Sequence, residues 1–400
     1  GAGWAGAAWG RVSPLSLTSG VTPGYQPVDK DEQGLWQSLE RIEQDLATSN
    51  LLLQSPTMHA YTVGVMTRLL GPQMRDVRVY LVHDPEFNAR MAPTGMMVVN
   101  SGLLARVRNE AQYAAVLGHE SGHYLLRHSV AKARAIRTRT GVMAFVVAGA
   151  GLGAGVTAMS GNGYGARSWI DTANAVNRDL LLSIFSFSRE QEAQADAFGL
   201  KLMEAAGYPP EAASDIWKQV IEEGRASVAA RGKRYRDGSR SALSDHPAND
   251  QRMLDLADSA REVEAHNMPG RAYDDGRARW RAAVAPLRSQ LIEEQVKLND
   301  PGASLYLLDS LATDGWDGTL RYWQGEALRM RGAPGDDALA ARAYAQAVAL
   351  PDAPPEAWRA QGYALIKAGR AGDGRTALSR YLDLAPDAAD QAMVRFSLAQ

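Results

Sequence analysis

The chain has 400 residues, 46% hydrophobic and 22% charged, which suffices for two or three domains with sizeable cores and excludes a disordered polymer. Its 43 Lys and Arg against 45 Asp and Glu give a net charge of −2, and there is no long basic run, so nucleic acid is not an expected partner. The lack of cysteine excludes disulfides, thiolate nucleophiles and Cys-ligated zinc, and it suits an oxidising compartment, where stray thiols mispair.

In chain order, residues 1–28 are rich in Gly, Ser and Pro, with no charged n-region and no long apolar core. We expect a flexible segment, of the kind left after a secretory leader has been removed. Leu35, Leu39, Ile42 and Leu46 recur at helical spacing among charged residues, so an amphipathic helix is predicted within 31–50. The stretch VRVYLVHD (77–84) alternates and predicts a strand; GMMVVNSG (95–102) predicts a second, bounded by glycines. Asn109 followed by Gln112 has the form of a capping box and opens a helix. That helix carries VLGHESGHYLLRH (116–128). Residues 141–160 hold no charge and are long enough for a membrane span, but five glycines and five alanines make them weakly apolar. A second helical segment, 179–206, contains SREQEAQADAFG. After a polar loop come a short helix at about 250–265 and a linker at 267–276. The remainder is alanine-rich and helical. Gly325 and Gly332 recur as Gly362 and Gly369 after 37 residues, and Pro351 recurs as Pro386 after 35. Trp358, Gly362, Gly369, Ala377 and Pro386 fit a tetratricopeptide repeat, whose period is about 34 residues. AGDG (371–374) lengthens its turn, and a generic helical bundle is the alternative.

Three of the seven histidines fall within 119–128. His119 and His123 are four apart, so one helix face can aim both imidazoles at one cation. Glu120, rotated by about 100°, can reach a water held by that cation; two ligands and a general base in five residues form the pattern of a zinc hydrolase. A third ligand must come from downstream. Glu192 is the candidate, with Asp196 four residues on to accept a hydrogen bond from a ligand histidine. Spacing alone leaves Glu190 open as well.

The segments NARMAPTGMMVVNSGLL, AAVLGHESGHYLLRH, SREQEAQADAFG and DHPANDQR, in that order, resemble the successive signatures of peptidase family M48, the family of HtpX and the CAAX prenyl proteases. The resemblance spans about 35–256, and the attached repeats resemble its soluble, BepA-like branch. Two departures stand out: Gln112-Tyr113 replaces the usual Glu-Leu, and Pro93-Thr94-Gly95 replaces Pro-Gly-Gly.

The resemblance implies an α+β, mostly helical architecture: a gluzincin-like domain with a small sheet at 29–270, then an all-α tetratricopeptide-like domain at 271–400. It implies one Zn2+ per chain on His119, His123 and Glu192, with Glu120 as base. His246 and Arg252 are expected as oxyanion donors, or His246 as a fourth ligand that closes the site. His128, nine residues after His119, would lie on the opposite side of a continuous helix, and the resemblance gives it no metal role. His59, His83 and His266 are expected at the surface or in packing. Because His123 and Glu192 must meet at one metal, 141–160 cannot cross a bilayer once between them; a flap or a peripheral membrane contact is expected instead. The strand at 95–100 is the expected edge for substrate. The implied enzyme is a periplasmic Gram-negative metalloendopeptidase acting on misfolded or stalled outer-membrane proteins, with the repeats holding clients or the outer-membrane assembly machinery. A repeat-based chaperone with an inert or structural zinc site is the competing class.

Overall fold

The computed structural model describes residues 17–140, 184–235, 250–266 and 272–399. The expected flap at 141–160 and His246 lie outside the described residues. The described residues fall into two compact units, one drawn from 1–222 with 236–288 and the other from 223–235 with 289–400. The described chain is mostly helical with one small sheet.

In the first unit, α1 (Lys30–Ala47) starts where Asp29 accepts hydrogen bonds from the amides of Asp31 and Glu32. Of its predicted stripe, Leu35, Leu39 and Leu46 are buried against Val82, Met96, Val98 and Val130, and Ile42 packs half-buried against the same cluster. Ser55 caps α2 (Pro56–Leu70), with Pro56 at its first turn. The sheet has β1 (Arg78–Val82), β2 (Ala89–Met91) and β3 (Met96–Asn100) in the order β1-β3-β2. β1 pairs parallel with β3, Arg78 opposite Met96. β2 pairs antiparallel with β3, Ala89 opposite Val99. The expected edge strand at 95–100 is therefore central. Its five residues are all buried, because a strand paired on both sides and covered on both faces can be apolar throughout. The outer side of β1 bridges to Leu52, whereas no described strand pairs with the outer side of β2, whose three residues are all buried.

After α3 (Ser101–Arg106), α4 (Glu110–Leu125) is buried at every position. Asn109 caps it, accepting from the Gln112 amide at 2.8 Å. The reciprocal bond is displaced by one residue: Gln112 Oε1 accepts from the Arg108 amide at 2.9 Å. Glu110 lies in the first turn, where negative charge is favoured, and is enclosed by Arg68, Arg279, Tyr61 and Tyr208. Burial alone would raise the Glu110 carboxyl, but these hydrogen bonds and charges hold it below the usual carboxylate range.

α5 (His128–Thr140), α6 (Arg189–Ala205), α7 (Ala212–Ala230), α8 (Asp250–His266) and α9 (Arg277–Val284) follow. α6 starts at 189, because Ser188 and Gln191 close a capping box there; residues 186–188 are not helical. The expected boundary at 270/271 differs from the compact units. α9 belongs to the first unit, since Trp280 donates to the Val107 carbonyl at 2.8 Å and its ring lies 4.9 Å from that of Tyr113. Residues 17–28 have no helix or strand but are docked: the Gly20 amide donates to the Leu125 carbonyl at 2.7 Å, and Val21 is buried.

The second unit is helical among its described residues: α10 (Arg288–Val296), α11 (Pro301–Leu311), α12 (Gly318–Arg331), α13 (Asp336–Val348), α14 (Pro355–Lys367), α15 (Ala371–Leu384) and α16 (Gln391–Leu398). Neighbours in sequence pack together from α11 to α16. Asp300 and Asp317 cap α11 and α12. One core gathers Leu308, Leu320, Trp323 and Tyr344; another gathers Leu378, Tyr381, Leu382 and Val394. No described helix is long and apolar enough to cross a membrane.

Candidate metal centre

Two helices build the site. α4 carries His119, Glu120 and His123; α6 carries Glu192 and Asp196. Glycines bring their backbones together. A Cβ on Gly122 would lie 2.8 Å from the Ala195 carbonyl oxygen, and one on Gly199 would lie 3.0 Å from the His119 amide nitrogen. This contact places the carboxylates of α6 beside the imidazoles of α4.

His119, His123 and Glu192 are buried, and each offers a ligand atom within 4.8 Å of the other two. The two Nε2 atoms are 3.1 Å apart. Glu192 Oε2 lies 3.5 Å from His119 Nε2, and Glu192 Oε1 lies 3.6 Å from His123 Nε2. Glu120 is buried alongside, its Oε1 4.0 Å from His119 Nε2. Glu190, the alternative that spacing left open, is exposed, whereas Glu192 is 1% exposed.

Asp196 Oδ1 lies 2.8 Å from His119 Nδ1, as expected of a group that orients a ligand histidine. Arg252, on α8, binds Asp196 through Nε and Nη2 at 2.8 and 2.7 Å, and its Nη1 lies 3.0 Å from Glu192 Oε2. Burial alone would raise the Asp196 carboxyl; the Arg252 charge and the bonds from Arg252 and His119 hold it well below the usual range. The guanidinium is buried, with its centre 4.2 Å from the Trp217 ring. Its Nη2 also lies 3.3 Å from both ring nitrogens of His119, so the guanidinium is surrounded by the groups that make up the site.

His128 departs furthest from expectation. The helix does not continue through it. α4 ends at Leu125, Arg127 adopts a left-handed φ of 59°, and α5 begins at His128. Such a φ strains a non-glycine residue; here the Arg127 guanidinium pairs with Glu32 and lies 4.4 Å from the Tyr25 ring. The chain reversal brings His128 Nδ1 to 2.9 Å from His123 Nδ1, and Gln194 Oε1 lies 3.0 Å from His128 Nε2. Burial pushes the His128 imidazole down to about 4, against the raising effect of Gln194. Phe187 stacks on His123 at 3.7 Å and 17°.

Residues 52–260 match the family model described as Peptidase family M48, which is more than half of the chain. The chain belongs to peptidase family M48. Among relatives, the mitochondrial metalloendopeptidase OMA1 of Schizosaccharomyces pombe is 26% identical over 219 residues, 54% of this chain and 57% of that protein. The beta-barrel assembly-enhancing protease of Yersinia pestis is 26% identical over 278 residues, 64% of this chain and 52% of its own length. That of Escherichia coli is 25% identical over 216 residues, 53% of this chain and 41% of its own. The chain thus spans about half the length of the curated relatives it matches.

Within this M48 region the two departures have structural uses. Gln112 bonds the Arg108 amide, and the Tyr113 hydroxyl pairs with Thr62 at 2.9 Å in the core. Gly95, in the altered turn, has a φ of 88°, and a Cβ there would strike the Asp76 carbonyl oxygen at 2.1 Å, so glycine is retained where backbone requires it. His59 is exposed and its Nε2 lies 3.1 Å from the Val79 carbonyl oxygen. Sequence reasoning missed Phe187, Trp217 and the use of His128. The aromatic pair has no fixed spacing from the histidines that could have signalled it.

Proposed function

We propose that the chain is a zinc metalloendopeptidase whose metal is held by His119, His123 and Glu192. The observation that carries this reading is the buried convergence of two imidazole nitrogens and one carboxylate, with Glu120 beside them. Two nitrogens and one oxygen are a donor set that zinc accepts, and three protein ligands leave a position for water. A bound zinc ion supplies a Lewis acid and lowers the pKa of a coordinated water to about 7. Glu120 takes the proton of the attacking water and passes it to the leaving amine. A merely structural site needs no such base, so Glu120 argues against the inert-scaffold alternative. Asp196 holds His119 through Nδ1, and Arg252 neutralises Asp196 while steadying Glu192. We therefore reassign Arg252 from oxyanion donor to positioning group.

Substrate adds as a further strand on β2 rather than on β3. The Ala92 amide bonds the Met96 carbonyl and the Asn100 amide bonds the Asn88 carbonyl, so alternation puts the Arg90–Val98 pair in hydrogen-bonded register. Ala89 and Met91 then turn their amides and carbonyls to the outer edge, where an extended peptide can pair.

The relatives named as beta-barrel assembly-enhancing proteases support a finer reading: a periplasmic Gram-negative enzyme acting on unassembled outer-membrane proteins. Residues 289–400 would hold the client or an assembly partner, since stacked helix pairs make concave surfaces. His246 would act as a removable fourth ligand restraining the enzyme.

One experiment tests this set: zinc content and casein hydrolysis, with and without chelator, for wild type and variants. Wild type should carry one zinc and lose activity to chelator. Glu192→Ala should lose zinc and Glu190→Ala should keep it; equal zinc in both would mean the wrong carboxylate. Higher proteolysis in His246→Ala supports the latch, and an inactive His246→Ala excludes it.

A further inference from the structure

The site has a second outer arm, on the His123 side, that differs in chemistry from the Asp196 arm. Three groups stand in a row: His123, His128 and Gln194, joined by Nδ1–Nδ1 at 2.9 Å and Nε2–Oε1 at 3.0 Å. Two like nitrogens that close can share only one hydrogen, so one donates and the other accepts. The Gln194 carbonyl oxygen can only accept. The hydrogen of a neutral His128 therefore sits on Nε2, and its Nδ1 offers a lone pair. It follows that His123 carries its hydrogen on Nδ1, which leaves the Nε2 lone pair facing His119 Nε2 and Glu192. With the Gln194 oxygen facing His128, no other neutral assignment satisfies both contacts; the reverse order needs the Gln194 amide nitrogen there and would put a hydrogen on His123 Nε2, denying that atom to a metal.

We infer that His128 is a positioning residue of the metal site: backed by Gln194, it accepts the Nδ1 hydrogen of His123 and so fixes that ligand's tautomer and ring plane. This rests on the zinc reading above. The two ligand histidines are then backed unequally, His119 by a carboxylate and His123 by a neutral imidazole. Phe187, stacked on the His123 ring, and buried His128 together leave that ring little freedom to turn. The helix break at Arg127 serves this arrangement: a helix continuing from α4 would carry residue 128 away from His123, about 140° around the axis from it.

The test is zinc affinity of the full chain by competition with a chelating dye, together with the visible spectrum of the cobalt-loaded protein. His128→Phe removes the acceptor and should weaken zinc by roughly 10–100-fold. His128→Asn keeps an acceptor oxygen near the Nδ1 position and should recover most of that loss and the wild-type cobalt spectrum. Gln194→Leu, at a half-buried position, should weaken zinc in the same direction by less, and it guards against a misfolded His128 variant. Wild-type affinity in His128→Phe, or in Gln194→Leu where His128→Phe does not fold, overturns the inference. Equal loss in the Phe and Asn variants also overturns it, because packing rather than hydrogen bonding would then be at work. A wild-type protein that binds no zinc overturns the metal reading itself, which is distinguishable from either result.

Discussion

Glu110 shows how a single residue fixes the position of the catalytic helix. Its side chain is fully buried at the first turn of α4, and it joins α2, the loop after α6 and α9 through Arg68, Tyr208 and Arg279. Its folded pKa is depressed, so its contribution is full above the unfolded value of about 4 and fades as pH falls below it. Glu110→Gln should cost about 1–3 kcal/mol at pH 7, the worth of hydrogen bonds to a charged group. In urea melts the gap between variant and wild type should narrow as pH drops from 5 to 3; a constant gap would show that charge is not what matters there. At this scale His119, Glu120 and His123 were legible because one helix turn contains them. Glu192 was not separable from Glu190 by spacing, since both lie in the first turn of α6 and the helix contact at Gly122 decides which is buried. Arg252 was visible as a candidate, but Asp196, which it binds through two nitrogens, is 56 residues away in sequence.

Among elements, the α4–α6 contact matters most. Gly122→Ala would push a methyl to 2.8 Å from backbone oxygen, which no side-chain rotation can relieve. The helices must part, and Glu192 with Asp196 must move away from the histidines. The variant should lose thermal stability and most of its zinc affinity. Gly64→Ala is the matched control: that helical glycine has nothing within 4 Å, and alanine there should be neutral or stabilising by up to about 1 kcal/mol. Equal zinc binding in both variants would show that the close approach is dispensable. The stripe of α1 and the run in β3 were readable from periodicity and hydrophobicity. β2 was not, because three residues are too few for a pattern, and its presence turns β3 from an edge into the centre. The end of α4 was hidden too, since Leu126 and Arg127 are ordinary helix formers and the left-handed turn depends on partners in residues 20–32.

At the scale of the whole molecule, the compact units have separate cores, and the metal ligands all lie in the first. Zinc at about 100 times its dissociation constant should stabilise the unit that binds it by about 2.7 kcal/mol and leave the other untouched. Calorimetry of the full chain should show added zinc moving one transition and not the second; an equal shift of both would mean the units unfold together. The helical character of 289–400 was legible from alanine content and the recurring Gly and Pro. The placement of 277–284 was not, because linker-like composition does not say on which side of it a core ends, and Trp280 packs with the first unit.

The central claim is that Glu120 is the base of a metal-dependent hydrolysis. The most direct measurement is casein hydrolysis by zinc-replete Glu120→Gln alongside its bound zinc and its melting temperature. Glutamine can hold water but cannot take its proton, so the variant should bind zinc and fold as wild type while its rate falls about 10²–10⁴-fold. A folded, zinc-loaded variant that cleaves at the wild-type rate would contradict the mechanism.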